Sequence, residues 1–150
     1  MAQESTFVEI ARRAAKSVLS RKLEIERSAA LLYQVTVNNE LQLTVDPKKP
    51  ARGRSAFQTD LCVFEPRGDV RIPRVVLEFK PRITTHDVIT SSAKARKHKQ
   101  VYPYLRYGLV ASDEAHIPGR MFTHNEALDF CVALGDVRRQ ELAAVLGRPL

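Results

Sequence analysis

Two strand-length apolar runs separated by one turn signal dominate this chain, and they restrict it to folds built around a long β-hairpin. Residues 57–65 read FQTDLCVFE and residues 74–80 read RVVLEFK, while Pro66-Arg67-Gly68-Asp69 between them has the composition of a tight turn. Side chains alternate along a strand, so Glu78 and Lys80 share one face, and a direct cross-strand partner shares it too. With the hairpin closing about Gly68 and Asp69, Asp60 is expected opposite Glu78. Two carboxylates and an ammonium then converge.

An E-x-K step on a strand is often no more than a solvent-facing acid and base. Here Val75, Val76, Leu77 and Phe79 make the strand apolar on both faces. A strand covered on both sides rarely carries a Glu and a Lys without a use, because unpaired buried charge is expensive. Mg²⁺ prefers hard oxygen ligands and keeps several waters, so Asp60 and Glu78 plus a substrate phosphate oxygen make a sufficient site. Mn²⁺ is the alternative ion. Lys80 is suited to orient a water or to offset charge developing on a phosphoryl group.

The 150 residues are one domain's worth of core, and residues 1–150 are read as a single domain. No apolar run is long enough to cross a bilayer, and the first residues lack the basic start and apolar stretch of a signal peptide, so a cytoplasmic location without membrane association is expected. Cys62 and Cys131 have no paired spacing, which argues against a disulfide framework or a zinc cluster and for reduced core thiols. His86, His98, His116 and His124 lack ligand spacing and are read as surface or capping residues. The net charge of +7 favours a polyanionic partner, nucleic acid first.

Periodicity predicts an amphipathic helix over residues 5–19 with Ser5 as N-cap. Residues 21–37 fit both periods, Ile25, Ala29 and Leu32 the helical one and Tyr33, Val35 and Val37 the strand one. The reading taken is a helix that changes character near Tyr33. Asn38-Asn39 signals a turn, followed by a strand with Leu41, Leu43 and Val45. Residues 46–55 (DPKKPARGRS) make an extended basic loop. Thr84 and Asp87 stand in capping-box spacing and start a helix over 85–101, stopped by Pro103. Its small residues Ser91, Ser92, Ala93 and Ala95 suit close packing on a sheet. Residues 107–112 suit a buried strand. Thr123 and Glu126 predict a helix ending near Gly135, and Asp136 a further helix ending at Gly147. The expected architecture is α/β around a mixed sheet.

Lys94, Arg96, Lys97 and Lys99 on the helix over 85–101, with Lys48, Lys49, Arg52 and Arg54 in the basic loop, form the expected nucleic-acid-binding set. Tyr102, Tyr104 and Tyr107 cluster at a helix end, where core packing is their expected role.

Asp60 followed by Glu78-x-Lys80 on an apolar strand, with a helix and a strand after it, resembles the PD-(D/E)XK nuclease superfamily of restriction endonucleases, Holliday-junction resolvases and repair nucleases. The resemblance covers residues 41–112 and implies a restriction-endonuclease-like αβββαβ core, a mixed central sheet flanked by helices. Thr59 stands where that family often has proline. Gln100 and Tyr104 resemble the Q-x-x-x-Y element of RecB-type members, which implies a catalytic role for Gln100, although Pro103 interrupts it. The family's extra acid on the first core helix implies Glu26 as a third metal ligand, with Glu9 and Glu40 as alternatives.

The expected function is therefore Mg²⁺-dependent hydrolysis of DNA phosphodiester bonds by Asp60, Glu78, Lys80 and Gln100, in a homodimer if both strands are cut. Leu128, Phe130, Val132 and Leu134 on the terminal helices either supply the dimer contact or complete the core. One rival is a catalytically silent nucleic-acid-binding module on the same fold. The other is a basic interaction protein whose E-x-K is incidental, in which case Asp60 and Glu78 lie apart.

Overall fold

The computed structural model describes residues 2–135. Helix α1 (Ala2–Val18) leads into β1 (Glu24–Arg27) and β2 (Ala30–Leu32). After a long excursion the chain forms β3 (Ala56–Gln58), β4 (Leu61–Arg67) and β5 (Val70–Lys80). Helix α2 (Thr85–Val101), β6 (Arg106–Ala111), helix α3 (Gly119–His124) and β7 (Phe130–Ala133) follow.

A five-stranded sheet runs in the order β1-β4-β5-β6-β7, and β2 and β3 form a separate antiparallel pair. The β1, β4 and β5 pairings are antiparallel, whereas β6 and β7 add in parallel, so the sheet is mixed as expected. Parallel addition needs crossovers, and α2 and α3 supply them. Alternation along the strands sorts the core into two faces. Cys62, Phe64, Val76, Tyr107 and Leu109 pack with Val88 and Ala95 of α2. Leu61, Phe79 and Val110 pack with Val8 and Ala11 of α1, and Phe7 meets Phe79 edge-on at 5.6 Å between ring centroids.

The β4–β5 hairpin closes at Gly68 and Asp69, as the turn signal predicts, with Arg67 paired to Val70. Gly68 takes φ 62°, the left-handed setting that matches a two-residue turn to strand twist. This closure alone would bring Asp60 opposite Leu77, on the wrong face. A bulge corrects it: Phe64 pairs with Pro73 but Val63 with Val75, leaving Arg74 as the extra residue. From there the register runs Cys62↔Val76 and Leu61↔Leu77, and its next step sets Asp60 against Glu78. The predicted strand over 57–65 is in fact two, β3 and β4, broken at Thr59 and Asp60. Buried Thr59 holds the break, since both its backbone N and its Oγ1 donate to Ala29 O at 2.9 Å.

Helix α2 has both bonds of the predicted capping box, Asp87 N to Thr84 Oγ1 and Thr84 N to Asp87 Oδ2. Ser91, Ser92 and Ala95 are buried, whereas Ala93 faces solvent. Ala95 lies in the core under the sheet and Ser92 against the loop before β7, where its Oγ accepts from Glu126 N and Ala127 N. Cys62 and Cys131 are free thiols.

Four expectations are corrected. Helix α1 begins ahead of Ser5, whose Oγ accepts from Arg27 Nη2 rather than capping. Residues 24–32 are strands, not helix, because the exposed side of β4 offers a pairing edge that β1 fills and Ser28, at φ 56°, turns the chain into β2. Residues 41–45 make only an isolated bridge, Val37↔Leu43, there being no neighbouring strand to extend it. Thr123 and Glu126 do not cap a helix over 123–135. Asn125 Oδ1 accepts from Leu128 N, and the aromatic and β-branched run at 130–133 joins β6 in parallel. Gly108 permits this pairing, because the ring of Phe130 occupies the space a Cβ would need, 2.2 Å away. Leu128 and Leu134 are buried, completing the core. The helix expected from Asp136 lies outside the described residues.

Candidate active site

Glu78 lies on the central strand of the sheet, only 6% exposed, on the face covered by α2. Its Oε1 accepts a 2.7 Å hydrogen bond from the hydroxyl of Tyr107, itself fully buried on the neighbouring strand β6. Asp60 sits at the break before β4, and its Oδ2 accepts from Phe79 N at 2.8 Å. That bond pins the carboxylate beside Glu78, where the ladder would otherwise end.

Burial first, and then the negative charge of Asp60, push the Glu78 carboxyl up to about 7. The Tyr107 hydroxyl and the nearby Lys94 ammonium oppose that rise, while a proton shared with Asp60 adds to it. Glu78 therefore changes charge near neutrality, in a buried site, beside a second acid. A carboxyl shifted by burial and by a specific charged neighbour is a candidate functional group. Lys80 follows two residues on, half-buried on the same side of β5.

The structure thus brings Asp60 and Glu78 together, with Lys80 two residues further along the same side of β5, and leaves the outlying candidates elsewhere. Glu26 lies on β1, not on a helix, and its carboxylate pairs with Arg71 Nη1 at 2.6 Å. Among the described residues no three metal-ligating side chains form a group, so Asp60 and Glu78 stand as a pair. Glu9 is on α1, across the sheet, where Arg12, Arg13 and Arg27 hold its carboxylate down at about 2. Glu40 is exposed in the turn after Asn38. Gln100 points to solvent from α2, and Tyr104 is 46% exposed beneath the Arg74 guanidinium, so the Q-x-x-x-Y pair does not reach the carboxylates.

Of the basic set, Lys94 and Lys97 lie over the rings of Phe57 and Tyr33, at 6.0 and 5.6 Å from their centroids. These two rings stack on each other at 4.2 Å. Lys49 and Arg54 line one small cavity at the foot of the basic loop, and Arg52 donates to Gln58 Oε1. Lys48 is paired with Asp69 at 2.9 Å. Arg96 pairs with Glu126, and Lys99 reaches both Asp129 and the carbonyl of Ala127 at 2.7 Å, which makes it a structural tie between α2 and the approach to β7.

His98 departs from its expected surface role. It is fully buried, donates from Nδ1 to Leu32 O at 2.9 Å, stacks on Tyr107, and leaves Nε2 without a partner. Burial holds its pKa below the ordinary imidazole range, so the ring is neutral. Its place was readable: Val88, Ser91, Ala95 and His98 follow helical spacing onto one face. Tyr107, expected to serve in packing alone, also donates its hydroxyl to Glu78. A tyrosine inside an otherwise aliphatic buried strand needs a partner for its hydroxyl, and that signal was available.

No protein-family model matches the chain, and a search of curated proteins finds no match either.

Proposed function

We propose that this chain is a metal-dependent phosphodiesterase acting on DNA, with Asp60 and Glu78 as ligands of Mg²⁺ or Mn²⁺ and Lys80 as the catalytic cation. One observation carries the reading: Glu78 is buried beside a second carboxyl, and burial first and the Asp60 charge second push it up to about 7, a penalty that a bound divalent cation would relieve. The donors suit a hard cation. Phe79 N and the Tyr107 hydroxyl each occupy one carboxylate oxygen, so each acid keeps another for the ion. When bound, Mg²⁺ would polarise the phosphodiester and acidify a water at the site.

The chain's own groups account for the rest. Tyr107 orients Glu78, Phe79 N orients Asp60, and Lys94 favours the ionised form of Glu78 that a metal requires. Lys80 is the cation available to offset charge growing on the phosphoryl oxygens. The succession α1, β1, β4, β5, α2, β6 supports an αβββαβ reading of the fold and with it the PD-(D/E)XK resemblance. Proximity of the two acids disfavours an incidental E-x-K. The exposed cations of α2 and the basic loop suit a phosphate backbone, and cutting both strands calls for a homodimer.

A catalytically silent nucleic-acid-binding module is the second reading, favoured by the depth of Glu78 and its existing bond to Tyr107. Supercoiled plasmid incubated with Mg²⁺, Mn²⁺ or EDTA separates the two. The enzyme nicks or linearises DNA only with the metals, and Asp60→Ala and Lys80→Ala abolish cutting. Cleavage that persists in EDTA, or in both variants, refutes the assignment; binding without cleavage selects the silent module.

A further inference from the structure

Residues 34–44 fold back on themselves as a short ribbon, closed by one isolated bridge and two flanking backbone hydrogen bonds, whose apolar side chains have no core to enter. Thr44 N donates to Thr36 O, Val37 bridges Leu43, and Asn38 N donates to Gln42 O. Alternation puts Val35, Val37 and Leu43 on one face, and they are 45%, 52% and 56% exposed. At the tip Leu41 is 82% exposed and takes φ 61°, a left-handed setting that a leucine adopts only under constraint.

The constraint is built in. Asn38 Oδ1 accepts from both Glu40 N and Gln42 N, its amide donates to Gln42 Oε1, and Leu41 N donates to Asn38 O. The turn presents one aliphatic side chain outward on a fixed backbone.

Charge surrounds the foot of the ribbon. Thr44 and Val45 line the same cavity as Lys49 and Arg54, with Asp46 the one acid among its lining residues. Tyr33, where the ribbon begins, bonds Ser55 O and stacks on Phe57, with Lys97 and Lys94 over the two rings. Lys94 in turn acts on Glu78, so cations lead from the carboxyl pair to the ribbon. Glu40 is the single acid within residues 34–44.

We propose that this ribbon is a wedge for duplex nucleic acid, with Leu41 entering between base pairs while Lys49, Arg54, Lys94 and Lys97 hold the phosphates. Apolar side chains that enter a duplex unstack a base step, and a mismatch or junction, already weakly stacked, yields most readily. The substrate class that follows is a duplex with a local stacking defect. The inference rests on the nucleic-acid reading of the site above, but not on catalysis.

The test uses the full chain in EDTA, with a matched duplex and the same duplex carrying one mismatch, each with 2-aminopurine beside the central step. Wild type is expected to raise the fluorescence and to bind the mismatched duplex about tenfold more tightly. Leu41→Ala and Leu41→Asn, the second chosen to keep the left-handed turn, are expected to lose both effects while retaining salt-dependent binding. Glu40→Gln is expected to tighten binding. Wild-type behaviour in both Leu41 variants, or no fluorescence rise in wild type, overturns the wedge. So does a change of sedimentation mass in the Leu41 variants with the DNA response intact, which identifies a second copy of the chain as the occupant. Asp60→Ala is run in parallel and is expected to keep the wedge signal; a wild-type protein that gives the wedge signal but never cleaves plasmid with Mg²⁺ or Mn²⁺ refutes only the nuclease reading.

Discussion

The hydroxyl of Tyr107 donates to Glu78 Oε1 at 2.7 Å from the adjacent parallel strand, and both side chains are buried. This bond favours the ionised carboxylate against burial and the neighbouring Asp60, which favour the neutral acid. The balance leaves Glu78 titrating near neutrality and makes the charge of the site responsive to pH.

Glu78→Gln is expected to stabilise the metal-free protein above neutrality. The folded carboxyl titrates at about 7 and the unfolded one at 4.5, so folding is favoured by the bound proton below 4.5 and loses that contribution as pH rises through 7. The loss amounts to roughly 3 kcal/mol. Urea unfolding should show Glu78→Gln more stable than wild type by about that amount near pH 8 and equal to it at low pH. Added Mg²⁺ should stabilise wild type but not the variant. A variant less stable than wild type at the higher pH contradicts the assignment.

Tyr107→Phe removes the donor that favours ionised Glu78, so the carboxyl moves further up. A carbon-13 carboxyl titration followed by NMR reads this directly, and the acid limb of Mg²⁺ binding should move alkaline with it. Loss of the buried bond should cost about 1 kcal/mol of stability. An unchanged titration shows that the hydroxyl is bystander packing.

His98 works in the opposite sense. Its folded pKa lies below the ordinary 6.5, so its contribution is present above that pH and is lost as the unfolded imidazole begins to take up a proton on acidification. His98→Phe should flatten the acid side of the stability profile while preserving the packing against Phe57 and Tyr107. Loss of the bond to Leu32 O should cost about 1 kcal/mol near neutrality. Thermal unfolding across pH distinguishes the two profiles.

Substitutions at Lys97 and Lys99 are expected to separate binding from folding on one helix. Lys97→Ala should weaken duplex binding and lower the salt slope by about one. Lys99→Ala should leave DNA binding near wild type and instead cost about 1 kcal/mol of stability, since its ammonium ties α2 to Asp129 and the Ala127 carbonyl. Equal effects of the two on DNA affinity would argue that the basic helix acts through bulk charge alone.

The hairpin, the capped helix α2 and the strand after it were readable because each carries a local signal: a glycine turn, a Thr84/Asp87 box, a short apolar run. Strands β1 and β7 were not, because both are short and take their conformation from the edge they join. Residues 24–27 (EIER) have little apolar content of their own, and Phe130 needs the absent side chain of Gly108. Alternation and the turn alone would set Asp60 against Leu77; the bulge that corrects this is marked by Pro73, which cannot donate to a ladder and sits beside the extra residue Arg74 in a central strand. Glu26 and Gln100 were inferred from the family pattern rather than from local chemistry. Both lie on surfaces where solvent or Arg71 satisfies them.

The extra residue at Arg74 divides the hairpin into an outer and an inner portion with different tolerance to length. Beyond it, toward Gly68 and Asp69, a longer loop, an epitope or a fluorophore can be inserted at the tip without reaching the acids. Between it and Glu78 the residue count is a matter of parity: deleting one position turns Glu78 and Lys80 toward the α1 side, leaving a full complement of reactive groups that never meet.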